Sequence, residues 1–471
     1  MASGMSDDSD PLTAGRVESE VLLRISPEPG QLERIAITRR RLTERAEEAA
    51  RTEGIPLARA LVAGSAARGT FVRGRLDIDL FLLFPPNLGR DELEHHGLRL
   101  AELILGGGEK RYAEHPYLRG QFDGFAVDAV PGFAVKDSSR PQSAVDRTPF
   151  HQAYLEQRLT PQLIDQVRLT KQFLRALHVY GADARTGGFS GYLTELLVLR
   201  FGALRGFLSE ARSWRIPVDL RSNPRSAPRV PTDVALVLDD PVDPERNVAS
   251  ALSRRNLALV ILAAVAYLRH PTTAAFELPP TASLARDEAL RRVAERGTHV
   301  SALTLDRPTL VDDILYPQLR KAERAVSEEA ERSGFRPIGT SSGGGDNLVI
   351  LIEVEADHLP AVRQHLGPPA GVDRTGDFLA KWTTSGTGIL QGPYLTTDGR
   401  LAVETLQVER RFETVMSRHL AKLPLGRDLT TVVRPATAFR SLAETEDSPE
   451  LQEALAELLS KQLPQYLVSR G

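Results

Sequence analysis

The chain has 471 residues, of which 41% are hydrophobic and 26% charged, with no cysteine and a formal net charge of −3. That length suits about three domains, and the composition excludes global disorder and fibrous classes. The missing cysteines exclude a disulfide framework and thiolate metal sites and point to the cytoplasm. The charge balance excludes nucleic-acid binding by bulk charge and leaves only local basic surfaces.

Residues 1–14 are small and acidic and are expected to be disordered. They carry neither the basic nor the apolar part of a signal peptide. A charged helix is predicted over 31–52. LARALVA (57–63) reads as a strand, and DIDLFLLF (77–84) as a second strand stopped by Pro85-Pro86. A helix over 90–105 ends at Gly106, and FAVDAV (125–130) is a further strand stopped by Pro131. Alternating helices and strands over 30–150 make this an α/β unit.

From Thr160 the texture turns helical. Thr160-Pro161 suits an N-cap and first turn, Leu163, Val167, Leu174 and Leu177 mark a buried stripe, and Gly181 is a stop. Further helices are predicted over 190–214 and 247–268. The latter holds the longest apolar run, twelve residues over 257–268, too short to span a bilayer. RSNPRSAPRVP (221–231) is a loop and SSGGGDN (341–347) a flexible turn or linker. LVILIEVEA (348–356) reads as a strand, and 396–408 as a hairpin arm turning at Asp398-Gly399. The segment 448–468 is helical.

The chemistry gathers early in the chain. After the first strand comes Gly64-Ser65, then eleven residues, then Asp77-Ile78-Asp79 at the start of the next strand. Strand side chains alternate, so both aspartates share one face. Their repulsion is relieved by a hard divalent cation with oxygen ligands. Gly64 and Ser65 stand at a helix start, where backbone N–H groups and a hydroxyl suit phosphate oxygens. Arg68 adds a charged donor one turn on. Asp128, alone among apolar residues in FAVDAV, could join the pair across the sheet. Three carboxylates, two metals and a phosphate cradle describe two-metal phosphoryl transfer. A solvated acidic edge beside an ordinary turn is the alternative.

GSAARGTFVRGRLDIDLFLLFP (64–85) resembles the nucleotidyltransferase signature of the polymerase-β superfamily. More narrowly, it is similar to archaeal-type (class I) CCA-adding enzymes, which are tRNA nucleotidyltransferases. RYAEHPYLRG (111–120), FAVDAVPGF (125–133), SAVDRTPFH (143–151), VRLTKQFLRALHVYGA (167–182), GGFSGYLTELLV (187–198) and DPVDPERNVASALS (240–253) resemble that family in the right order. So do ERGTHVSALTL (295–305), DDILYPQLRKA (312–322) and GPYLTTDGRLAVE (392–404), giving coverage of about 30–415. The segment 335–390 resembles it least.

The resemblance implies an α+β multidomain chain. A loosely attached N-terminus (1–30) precedes a polymerase-β-like catalytic head (31–155) and a helical neck (156–270). An α/β body and a small sheet-containing tail (271–471) would bind tRNA. It implies that Asp77, Asp79 and Asp128 hold Mg²⁺ and that Gly64, Ser65 and Arg68 meet the nucleotide phosphates. It adds Arg147, Thr148, His151, Lys171, Tyr180 and Arg246 as nucleotide contacts, and Glu114 and His115 beside the cleft. Glu195 is implied to be structural. Arg168, Lys171 and Arg175 share one helical face by spacing, which on its own reads as a solvated charged face. The implied activity is untemplated addition of C, C and A to the tRNA 3′ end from CTP and ATP. No membrane is implied, and a homodimer is. A poly(A) polymerase-like terminal transferase and a non-catalytic tRNA-binding protein are the rival readings.

Overall fold

The computed structural model describes residues 11–112, 115–224, 228–280, 282–384 and 388–468. It divides into two compact units, Met1–Pro280 with Leu463–Gly471, and Thr281–Gln462. Among the described residues no helix is long and apolar enough to cross a membrane.

The first unit begins with α1 (Pro11–Ile25). Its Val17, Val21 and Ile25 are buried in a core that includes Phe173, Leu174 and Tyr267. From residue 11 on this corrects the expected disordered start and loosely attached N-terminus, because those apolar residues fall at helical spacing and have a surface to cover; residues 1–10 lie outside the described residues. Next come α2 (Pro29–Glu53), β1 (Arg59–Ala63), α3 (Gly64–Arg68), β2 (Ile78–Phe84), α4 (Arg90–Leu105), β3 (Glu109–Tyr112), β4 (Pro116–Phe122) and β5 (Phe125–Phe133). The five strands form one sheet ordered β1-β2-β5-β4-β3. Only β2 and β5 run parallel.

Ile78, Leu80, Leu82 and Phe84 pack with Ile35 and Leu42 of α2 and Leu93 and Leu100 of α4. Phe81 and Leu83 join Ala63 in a separate cluster. By the period of two, Asp79 shares the face of Phe81, away from the covering helices. Pro131 does not stop β5, which runs on to Phe133. Phe133 sends its N–H to Asp146 Oδ1 at 2.8 Å rather than into the sheet. Pro131 has the same parity, and pairing with β4 has already ended at Ala129, so its missing N–H costs no ladder bond.

The helical part holds α5 (Thr148–Glu156), α6 (Pro161–Ala176), α7 (Gly191–Phe201) and α8 (Leu204–Ala211). Thr160 caps α6, its hydroxyl accepting from the Leu163 N–H at 3.3 Å, and Ser190 caps α7 in the same way at 3.0 Å. The single helix expected over 190–214 is two, broken at Gly202 and Ala203. Short strands β6 (Val218–Asp219), β7 (Leu236–Val237), β8 (Asp239–Asp240) and β9 (Asp243–Asn247) precede α9 (Arg254–Arg269). The helix expected from 247 starts later because Ser253 is its cap, accepting from the Asn256 N–H at 3.2 Å. Residues 271–280 belong to this unit rather than to a body beginning at 271. Phe276 lies against Phe173 and Tyr267 at ring separations of 5.8 and 5.5 Å.

The second unit holds α10 (Arg286–Arg296), β10 (His299–Asp306), α11 (Asp312–Ser333), β11 (Pro337–Gly344), β12 (Asn347–Val354), β13 (Val362–Pro369), α12 (Thr375–Thr384), β14 (Ile389–Leu395), β15 (Arg400–Leu406), α13 (Phe412–His419), β16 (Phe439–Ser441) and α14 (Pro449–Leu459). One sheet is ordered β11-β12-β10-β16 and a second β13-β15-β14. The expected turn or linker at 341–347 is largely strand. A Cβ on Gly343 would stand 2.1 Å from the Glu450 carbonyl oxygen, so the small residues there admit α14 against β11. A final short helix, α15 (Gln465–Val468), packs on α9 in the first unit.

Candidate active site

The sheet brings the three aspartates together. Asp79 and Asp128 are register partners on the parallel strands β2 and β5. Asp77 precedes β2 with the same parity as Asp79. Arg119 of β4 lies between carboxylates: one guanidinium nitrogen donates to Asp128 Oδ1 and Oδ2 at 3.1 and 2.9 Å, the other to Asp77 Oδ1 at 2.6 Å. Burial, then the charges of Asp128 and Asp77, push Asp79 up to about 7 against the pull of Arg68 and Arg119. Burial raises Asp128 as well, opposed by Arg119.

Among the described residues no three metal-ligating side chains converge on one point as they stand. Asp77 and Asp128 turn to Arg119, and Asp79 sits beside Gly64. The donor set nevertheless fits a hard divalent cation. Three carboxylates crowd one face, and a protein cation already answers the charge of two of them. A metal ion would compete with Arg119 for Asp77 and Asp128.

Gly64 opens α3 at φ +75°, and a Cβ there would lie 2.3 Å from Asp79 Oδ2. Ser65 follows, half-buried. Arg68 is turned inward: it donates to Gln152 Oε1 and to Glu195 Oε2 at 2.8 Å. Lys171 is only 2% exposed. Its Nζ donates to Thr70 O, Thr70 Oγ1 and Glu195 Oε1 at 3.2, 3.0 and 3.1 Å. Arg168 is also buried, bound to Asp165 and to the Gly69 carbonyl at 2.6 Å each. The face carrying Arg168 and Lys171 is therefore not a solvated one. Nor does Lys171 line an open cleft, because Glu195 and Thr70 take its donors.

A second cluster surrounds Asp240. His151 Nε2 lies 2.8 Å from Asp240 Oδ2, and its ring stacks on Tyr192 with centroids 3.9 Å apart. Arg246 donates to the same Oδ2 at 2.9 Å. Arg147 bonds Asp243 Oδ2 at 2.8 Å, and Thr148 opens α5. Buried Asp146 places this helix by accepting from the Phe133, Gln142 and Ser143 N–H groups. Tyr180 joins neither cluster; Arg175 lies 4.5 Å over its ring. His115 is buried against Phe133. Both its ring nitrogens lack a hydrogen-bond partner among the described residues. Glu114 lies outside the described residues.

Three family models match in order: "Nucleotidyltransferase domain" over 43–151, "tRNA nucleotidyltransferase, second domain" over 165–277, and "CCA-adding enzyme, C-terminal domain" over 296–439. A CCA-adding enzyme of Halobacterium salinarum is 39% identical over 392 residues, 83% of this chain and 86% of its own. The CCA-adding enzyme of Thermoplasma volcanium is 35% identical, covering 87% and 90%. The chain belongs to the CCA-adding enzyme family. A solved RNA terminal U-transferase overlaps 57% of this chain and 99% of its own at 15% identity and a TM-score of 0.43.

For a CCA-adding enzyme, a tRNA nucleotidyltransferase, the geometry brings forward three residues not singled out in the sequence, Arg119, Asp240 and Tyr192, and it pairs Asp243 with Arg147 rather than with Arg246. Asp240 carried a faint signal, an acid within DPVD just ahead of Arg246. Arg119 had none, since only strand register sets it opposite Asp128. Gly64→Ala is expected to slow nucleotide addition by about a hundredfold, because the new Cβ displaces the carboxylate of Asp79. Single-turnover addition rates check this. An unchanged rate would show that the placement of Asp79 beside Gly64 does not matter.

Proposed function

We propose that this chain adds C, C and A to the 3′ end of tRNA, in the cytoplasm, using CTP and ATP without a nucleic-acid template and releasing diphosphate. The observation that carries the reading is the register of Asp79 with Asp128, joined by Asp77 on one face of the sheet and closed on by Gly64. Membership of the CCA-adding enzyme family supports it. The three carboxylates would hold Mg²⁺, whose charge assists both the attacking and the leaving oxygen. The RNA 3′ oxygen bonds to the α-phosphorus, the bond to diphosphate breaks, and the hydroxyl proton leaves. Asp128, made more basic by burial, is the nearby acceptor for that proton. Ser65 and the α3 backbone face phosphate, while His151, Arg246, Arg147 and Thr148 form the other wall. Arg68, Lys171 and Tyr180 act there as well, the first two once drawn from Glu195. A homodimer completes the proposal.

The test mixes full-length protein with Mg²⁺ and tRNA lacking its 3′ CCA. CTP alone should add two C residues, and CTP with ATP should complete CCA, read by sequencing the products. A long A-tail would move the protein to the poly(A) polymerase class. Bound tRNA without addition would make it a binding protein.

A further inference from the structure

Asp240 is a carboxylate with no exposure and four donors. Its Oδ2 faces His151 Nε2 and Arg246 at 2.8 and 2.9 Å, and its Oδ1 accepts from the Tyr192 hydroxyl and the Val242 N–H at 2.9 and 3.1 Å. These donors come from α5, β9, α7 and the β8–β9 turn, so one side chain joins these elements. A carboxylate only accepts, so His151 must carry its proton on Nε2. Nδ1 then stays available to a ligand, charged or neutral. The ring is held in plane by that bond and across its face by Tyr192. Arg246 is tethered by one nitrogen while its side chain remains 37% exposed, leaving donors for a ligand.

We propose that Asp240 is the positioning residue for both His151 and Arg246, fixing the imidazole's proton on Nε2 and the guanidinium's direction so that both meet the nucleotide together. The inference rests on the reading of His151 and Arg246 as nucleotide contacts. It goes further by making them one unit with a shared, buried anchor. Burial works against ionising Asp240, yet His151, the Val242 N–H and the Tyr192 hydroxyl hold its carboxyl down at about 2. The anchor is therefore charged wherever the enzyme works.

The test uses full-length protein, tRNA lacking CCA, and Mg²⁺. Asp240→Asn keeps the shape and removes the charge. It should raise KM for CTP and ATP about tenfold, the usual weight of a charge-assisted hydrogen bond, with kcat changed by less than about threefold. On a background carrying both His151→Ala and Arg246→Ala the same change should raise KM by at most about twofold, because both groups that Asp240 holds are then gone. An equal rise on both backgrounds, or no rise at all, overturns the proposal. Single His151→Ala and Arg246→Ala variants separate the two levels. If both leave KM unchanged, the reading beneath fails and the inference with it. If both raise KM while Asp240→Asn does not, only the inference fails. Should Asp240→Asn melt too low to assay, Tyr192→Phe replaces it. That variant removes one bond to Oδ1 and should raise KM severalfold, and an unchanged KM overturns the proposal.

Discussion

Replacing Asp79 with alanine should reduce nucleotide addition by a factor on the order of 10³ or more, as expected when charge stabilisation worth several kcal/mol is removed from phosphoryl transfer. Binding of tRNA should be unchanged. Asp79 sits between the other two carboxylates in effect: it pairs in register with Asp128, follows Asp77 by two residues, and closes on Gly64. The folded state gains nothing from it without a cation, since burial and its acidic neighbours push it up to about 7. Asp79→Ala should therefore melt no lower than the parent protein. Asp79→Asn should behave alike and excludes a simple loss of volume. Addition is followed by extension of tRNA lacking CCA, and binding by fluorescence anisotropy. Undiminished addition would falsify the metal assignment. Loss of addition together with loss of binding would mean that the head had been disturbed as a whole.

The three aspartates stand out in the sequence because they break a local pattern. An acid inside FAVDAV has no packing reason, and the period of two sets Asp77 and Asp79 on one face. What the sequence could not supply was register. The facing of Asp128 and Asp79, or of Arg119 and Asp128, depends on which strands become neighbours, and no local spacing encodes that. β3 and β4 were missed for a related reason: EKRY is polar and exposed, made a strand by pairing alone, and PYLRGQF buries only Pro116 and Leu118. The run of serines and glycines at 341–347 read as flexible because small residues suit turns. Here they suit the close passage of a helix.

The N-terminus shows how composition can mask periodicity. The acids of 1–10 colour the whole segment, although Ala14, Val17, Val21 and Ile25 already stand at helical intervals and are buried. The second limit is the choice of partner. His151 and Arg246 lie 95 residues apart in the sequence, and nothing local tells that one aspartate holds both. Likewise Arg168 and Lys171 share a face that would be solvated on an isolated helix. Tertiary packing buries both, giving Arg168 the Gly69 carbonyl and Lys171 the Thr70 carbonyl and Glu195.

Removing the acid that holds Lys171 should produce the largest loss of stability. Glu195 has no exposure, Lys171 has 2%, and the Arg68 side chain 9%. Burial alone would raise the carboxyl of Glu195, but the charges of Lys171 and Arg68 and the Thr70 hydroxyl keep it below the usual range. Glu195→Ala leaves a buried ammonium with only Thr70 to meet it, and this should cost about 3–5 kcal/mol in denaturant unfolding. Glu195→Gln keeps the Thr70 bond and should cost less. Combining Glu195→Leu with Lys171→Met should recover most of the loss, because an apolar pair avoids the desolvation that the ion pair must offset. The pH dependence follows in sign. A carboxyl lowered by folding adds stability above its unfolded value of 4.5 and loses it as pH falls through the native one. The acid limb of the stability curve should therefore flatten in Glu195→Gln. The same variants settle how far Lys171 serves the nucleotide. If a triphosphate draws it from Glu195, CTP with Mg²⁺ should stabilise Lys171→Met less than the parent. If Lys171 only holds Glu195, the nucleotide should raise both melting temperatures equally.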